Sequence, residues 1–311
     1  MLFRYIFLLG SILLSAATLQ AQTDSVLQLQ TDSTAILVDA AVRKMSLEQH
    51  PNFPNKPKTF EFLTNTPSTL WAVAKTPFKK GSILPLAAVV GSTALLIHYD
   101  QQITNSTKRF SIRNNIDTNT SYKILFQVGG TKILKAPRNL TSAFYMLGEG
   151  WVGLAIGGGI WISGKVNGDN RAKQTASDLF EGFLASAVTT QLIKRTTGRE
   201  SPFAATRPGG RWQPFPSFKD YQSNTPTYDA FPSGHLTTMI TYTTILADNY
   251  PEKKWIRPLG YALASLTSWA MINTEVHWAG DYPLAFAIGY VQGKVITSKH
   301  FKKKKKALVK L

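Results

Sequence analysis

Six uncharged or sparsely charged apolar segments of helical length dominate the chain: 82–98, 142–163, 175–192, 235–250, 259–273 and 281–297. Clusters of Gly, Pro, Asn and Lys separate them. Segments of this length each bury an apolar stripe against their neighbours, and strand signals between them are scarce. The expected fold class is therefore all-α, a helical bundle over residues 82–298 with about six core helices. Hydrophobic residues make up 43% of the chain, enough for a sizeable core, which excludes wholesale disorder. No repeat of fixed period is visible.

The same segments raise the question of a membrane. A span needs about 20 mainly apolar residues. Segment 82–98 carries no charge and is a candidate, and 150–165 is a second. Segment 175–192 carries Asp178 and Glu181, which are costly in lipid, and 235–250 is Thr-rich and contains Asp248. These two are expected to be buried in protein rather than in lipid. The mean hydropathy of -0.09 is too low for a chain made mostly of lipid-facing helices.

The two ends differ from the middle. Arg4, an uncharged apolar run and small residues near Ala21 read as a signal peptide over residues 1–21. The mature chain is then expected outside the cytoplasm, in the periplasm or cell envelope, and possible membrane association follows from the apolar segments. Residues 22–81 are rich in Thr, Gln, Ser and Pro and read as an extended or loosely packed N-terminal region. Residues 299–311 form a basic tail in which Lys302, Lys303, Lys304, Lys305 and Lys306 are consecutive. With a net charge of +17, this tail suits an anionic membrane surface. Nucleic acid is not an expected partner, because the lysines are not interleaved with aromatic residues. His50, His98 and His300 show no partner pattern.

The chemistry sits in three clusters. There is no Cys, which excludes disulfides, thiol nucleophiles, Cys-ligated zinc and iron–sulfur clusters. No metal and no cofactor are implied. Lys194 and Arg199 end one helical segment and supply positive charge for a phosphate dianion. Ser233, Gly234 and His235 open the next segment, where free backbone N–H groups and the helix dipole favour an anion. His235 there can give a proton to a departing alkoxide. His277 and Asp281 open the last segment. Four apart, they share a face if the turn is helical, and the carboxylate then orients the imidazole as a nucleophile.

Lys194 with Pro202, then Pro232-Ser233-Gly234-His235, then His277 with Asp281, in this order, resemble the type 2 phosphatidic acid phosphatase and vanadium haloperoxidase superfamily. The resemblance implies a phosphomonoester hydrolase, of acid phosphatase or lipid phosphate phosphatase type, acting on a phosphorylated small molecule or lipid headgroup. It implies that His277 becomes phosphohistidine, Asp281 orients it and His235 protonates the leaving group. Lys194, Ser233 and Gly234 would contact phosphate. The alternatives are a vanadate-dependent haloperoxidase, or a catalytically weak relative that binds phosphate headgroups. Two positions depart from the pattern. Ser201 stands where the first motif has Arg, and Ala270-Met271 stands where the third has Ser-Arg. Arg199 is the first candidate to replace the missing phosphate grip, ahead of Arg195, Arg207 and Arg211.

Overall fold

The computed structural model describes residues 57–129 and 131–308. The expected signal peptide and most of the N-terminal region lie outside the described residues. Nine α-helices and one two-stranded hairpin are present among them: α1 Glu61–Ala74, α2 Ile83–Arg113, β1 Tyr122–Val128, β2 Thr131–Pro137, α3 Leu140–Leu147, α4 Gly150–Val166, α5 Asn170–Thr197, α6 Phe218–Ser223, α7 Gly234–Asn249, α8 Ile256–Asn273 and α9 Tyr282–Leu308. The fold is mostly α-helical, as the spacing of the apolar segments predicts.

The centre of the bundle is α7, which packs against α9, α5, α8 and α4. Leu179, Tyr242, Ile245 and Ile296 form one core cluster, and Leu236, Ile240, Ala264 and Ala285 another. The Thr-rich face of α7 is buried because its hydroxyls are satisfied. Thr237, Thr241 and Thr244 each donate to the carbonyl four residues back, and Ser186, Thr241 and Gln292 join three helices through side-chain hydrogen bonds. The charges within α5 are likewise partnered. Glu181 meets Lys299 at 2.6 Å and Thr69 at 2.5 Å, and Asp178 meets His300 at 3.0 Å. His300, without a pattern in the sequence, thus fixes the far end of α9 to α5.

Several elements differ from the sequence expectation. Residues 61–74 are not extended. They form α1, held to α5 and α9 by the Thr69–Glu181–Lys299 bonds and by Phe62 against Phe180 at 5.7 Å. The segment 142–163 is two helices, because Gly148 ends α3 and Glu149 takes an extended conformation before α4. The hairpin β1–β2 is antiparallel, and Gly129 at its end has a left-handed φ of 54°. Helix α9 continues into the basic tail, to Leu308. Helix α2 runs well past His98. Its first half is exposed and apolar, with Ile83 and Leu84 both 79% exposed, whereas Asp100 in its second half is fully buried. It is the one described helix long and apolar enough to cross a membrane, by length and composition.

Candidate active site

The three sequence clusters meet at one end of the bundle. Helix α5 is started by Asp169, whose carboxylate accepts from the N–H of Arg171 and Ala172, and it delivers Lys194 to its last turn. It stops at Gly198, whose φ of 58° is left-handed. A Cβ there would lie 1.8 Å from the Gln213 carbonyl oxygen, so the reversal needs glycine. The chain then doubles back. Gln213 N–H donates to Gly198 O, and Ala230 N–H donates to Arg199 O.

Ser233 is the N-cap of α7, accepting weakly from Leu236 N–H at 3.4 Å, and its own N–H donates to the Asp281 carbonyl. That bond joins the second cluster to the third. Gly234 and His235 follow in the first turn. The rings of His235 and His277 lie 5.8 Å apart in an edge-to-face arrangement. Tyr145 of α3 flanks His235 at 5.8 Å, and Tyr282 flanks His277 at 6.3 Å. Burial, reinforced by the neighbouring His277 and Lys194, pushes the His235 imidazole down to about 3. Lys194 is itself buried, and its Nζ is 3.4 Å from Asp229.

His277 and Asp281 do meet, but not by sharing a helix face. His277 lies in a turn before α9, and Asp281 closes a short 3-10 turn, Ala279–Asp281. The turn brings them together because Asp281 caps it. One carboxylate oxygen accepts from Trp278 N–H at 2.8 Å, and the same oxygen stands 3.4 Å from His277 Nδ1. The ring nitrogen Nδ1 of His277 makes no hydrogen bond in this geometry. The backbone N–H of His277 donates weakly to Met271 O at 3.4 Å, so the residue in place of the third-motif Arg meets His277 through its backbone. Ser201, in place of the first-motif Arg, is buried with its N–H on Pro226 O.

Arg199 corrects the sequence expectation. Its guanidinium is fully buried between Trp212 and Trp278. One terminal nitrogen donates to Asp281 at 2.6 Å, and the other to Asp100 and to Gly209 O. Its paired fork is therefore spent on carboxylates and does not face a phosphate. Arg195 stacks on Tyr221 at 4.1 Å, and Arg207 and Arg211 are exposed. Asp100 was not a sequence candidate. It sits in α2, about a hundred positions from Arg199, and only its place as the first charge after a long apolar run marks it. Its second oxygen accepts from Gly280 N–H at 2.8 Å. A Cβ on Gly280 would lie 2.6 Å from Ile97, so glycine lets α2 approach the turn.

Residues 175–305 match the family model described as the PAP2 superfamily. Over this segment the chain is similar to the PAP2 superfamily. Members are mostly phosphatases, and the matched PAP2 segment holds Lys194, Ser233, Gly234, His235, His277 and Asp281 but not Asp100. No curated protein and no solved structure matches the chain. Among the described residues, no group of three or more His, Cys, Asp or Glu is placed to hold a metal ion.

Beside the two histidines runs an apolar groove of about 610 Å³ between α4, α7 and α8. It begins at Gly148, where a Cβ would touch His235 Cβ at 3.3 Å. Its floor is Thr238, Met239, Tyr242 and Leu246 of α7, with Tyr250 just past the helix end. The first three lie three, four and seven positions beyond His235, on the same helical face. From Thr238 to Leu246 the helix rises about 12 Å.

Proposed function

We propose that the protein is a phosphomonoester hydrolase working through a phosphohistidine on His277. The observation that carries this reading is the 5.8 Å approach of the His235 and His277 rings at the N-terminus of α7. A phosphoryl group between them accepts N–H donors from the first turn of α7, around Ser233 and Gly234, and the charge of Lys194. His277 Nε2 attacks phosphorus as the ester P–O bond breaks, and His235 gives its proton to the departing oxygen. His235, then neutral, takes a proton from water. The resulting hydroxide equivalent attacks phosphorus, the P–N bond breaks, and inorganic phosphate leaves. The negative charge of Asp281 offsets the positive charge that builds on the phosphorylated imidazole.

The groove favours a substrate whose alcohol bears a long apolar tail. His235 protonates the leaving oxygen, so the leaving group lies on the His235 side, where the floor of α7 continues as apolar surface. We read the protein as exported and membrane-associated, which suits such a substrate. The exposed apolar half of α2 supports association with a bilayer, with Lys75, Lys79 and Lys80 exposed just before it. The spent fork of Arg199 disfavours a resident vanadate, which needs strong cationic grip.

Hydrolysis of p-nitrophenyl phosphate by His277→Ala tests the reading. A fall of several orders of magnitude is expected, with the variant still folded. Unchanged turnover in that variant would remove the phosphohistidine, and no turnover in the unaltered protein would favour a phosphate-binding relative.

A further inference from the structure

We propose that Asp100 of α2, which lies outside the PAP2 segment, is a positioning residue for the His277–Asp281 pair. This rests on the reading of His277 as nucleophile. Asp100 is fully buried and uses both oxygens, one on Arg199 Nη2 and one on the N–H of Gly280. Arg199 in turn holds Asp281 at 2.6 Å, and Gly280 belongs to the short turn that Asp281 closes. Asp100 thus grips the Asp281 turn twice, once through a guanidinium and once through backbone.

The charge count gives the arrangement a chemical consequence. Arg199 with Asp281 alone is a neutral pair. Adding Asp100 makes a buried group of two carboxylates and one guanidinium; burial pushes the Asp100 carboxyl up against the pull of Arg199, and once it is ionised the group carries one net negative charge beside His277. That charge favours the cationic imidazole that phosphorylation creates. The other titratable groups against His277 are His235 of α7 and Tyr282 of α9, and Tyr145 of α3 and Lys194 of α5 stand behind them at His235. None of these supplies a buried negative charge at neutral pH. A second tie between α2 and the same loop, Lys108 to Glu275 at 2.8 Å, is partly exposed and does not touch this group.

The test uses the full chain with Asp100→Asn, Asp100→Glu and Lys108→Ala. Two quantities are read: the pH profile of p-nitrophenyl phosphate hydrolysis, and the NMR titration of the labelled His277 imidazole. Removing the net charge lets His277 lose its proton more readily. In Asp100→Asn the acid limb of kcat/KM and the imidazole titration should both move to lower pH, by about half a unit or more. Misplacement of the nucleophile should lower kcat by about 10- to 100-fold with KM little changed. Asp100→Glu keeps the charge, so its limb should stay in place while kcat falls. Lys108→Ala loosens the same helix–loop contact and should leave the limb unmoved. A folded Asp100→Asn protein with both titrations unmoved would overturn the proposal. If Asp100→Asn does not fold, a folded Asp100→Glu with unchanged kcat or a displaced limb would overturn it equally. The NMR titration decides the role of Asp100 even if the unaltered protein hydrolyses nothing.

Discussion

His235 presents a tension that the substrate must resolve. With its imidazole pushed down to about 3, His235 is neutral at ordinary pH, and a neutral imidazole is no proton donor. A phosphoryl dianion beside it supplies the opposite charge that favours the protonated ring. Binding of sulfate, a dianion throughout pH 6–7, should therefore take up about one proton. Calorimetry in buffers of different ionisation enthalpy measures this, and binding without proton uptake would contradict it. The same depression affects folding. The unfolded chain protonates this histidine below about pH 6.5 while the folded one does not until about pH 3. Stability should fall as pH drops through that window, and His235→Asn should flatten the slope of melting temperature against pH. An identical slope in both proteins would argue against a buried neutral ring. At Arg199, removal of the guanidinium leaves two buried carboxylates facing each other. Arg199→Ala should cost about 3–5 kcal/mol in denaturant unfolding. The linear motifs made Lys194, Ser233, Gly234, His235, His277 and Asp281 visible from the sequence. They misassigned Arg199, because a string shows that an arginine is near a site but not that two carboxylates have claimed it.

At the scale of elements, the approach of α2 to the Ala279–Asp281 turn is the contact on which the site depends. Gly280→Ala places a methyl 2.6 Å from Ile97 and 3.1 Å from its backbone nitrogen, and backbone cannot rotate away. Overpacking of this kind costs about 1–3 kcal/mol. The loss of melting temperature should come with a larger loss of turnover, since the same shift moves Asp100. The six apolar segments were legible as helices because their period is local. The hairpin, α1 and the second half of α2 were not. Gly129 was the only mark of the hairpin, Pro67 obscured α1, and polar residues from Gln101 onward hid the continuation of α2. Their stabilising contacts are long-range, such as Thr69 with Glu181 and Asp100 with Arg199. The groove gives a further test at this scale. Gly159 of α4 lines it, and a Cβ there meets nothing within 4 Å. A Trp at this position should fill the groove. The ratio of kcat/KM for hexadecyl phosphate to that for p-nitrophenyl phosphate should fall by about tenfold or more. An unchanged ratio would place the tail elsewhere.

For the whole molecule, the arrangement separates two jobs. One end of the bundle gathers His235, His277 and Lys194, while the opposite end carries Asp178, Glu181, Lys299 and His300 in a buried ionic cluster that ties α9 to α5. The exposed apolar half of α2 joins the two levels: lipid-like surface at its start, a site carboxylate at Asp100. Anionic vesicles should retain the protein better than zwitterionic ones, and salt should weaken the retention. Equal retention on both would remove the electrostatic part of that reading. The central claim is chemical, that His277 carries the phosphoryl group during turnover. Rapid-quench mass spectrometry after mixing with p-nitrophenyl phosphate tests it most directly. The account predicts an acid-labile phosphoryl group on the peptide containing His277, absent from His277→Ala and formed faster than steady-state turnover. A phosphoryl group on any other residue, or steady turnover with none detectable on His277, would contradict it.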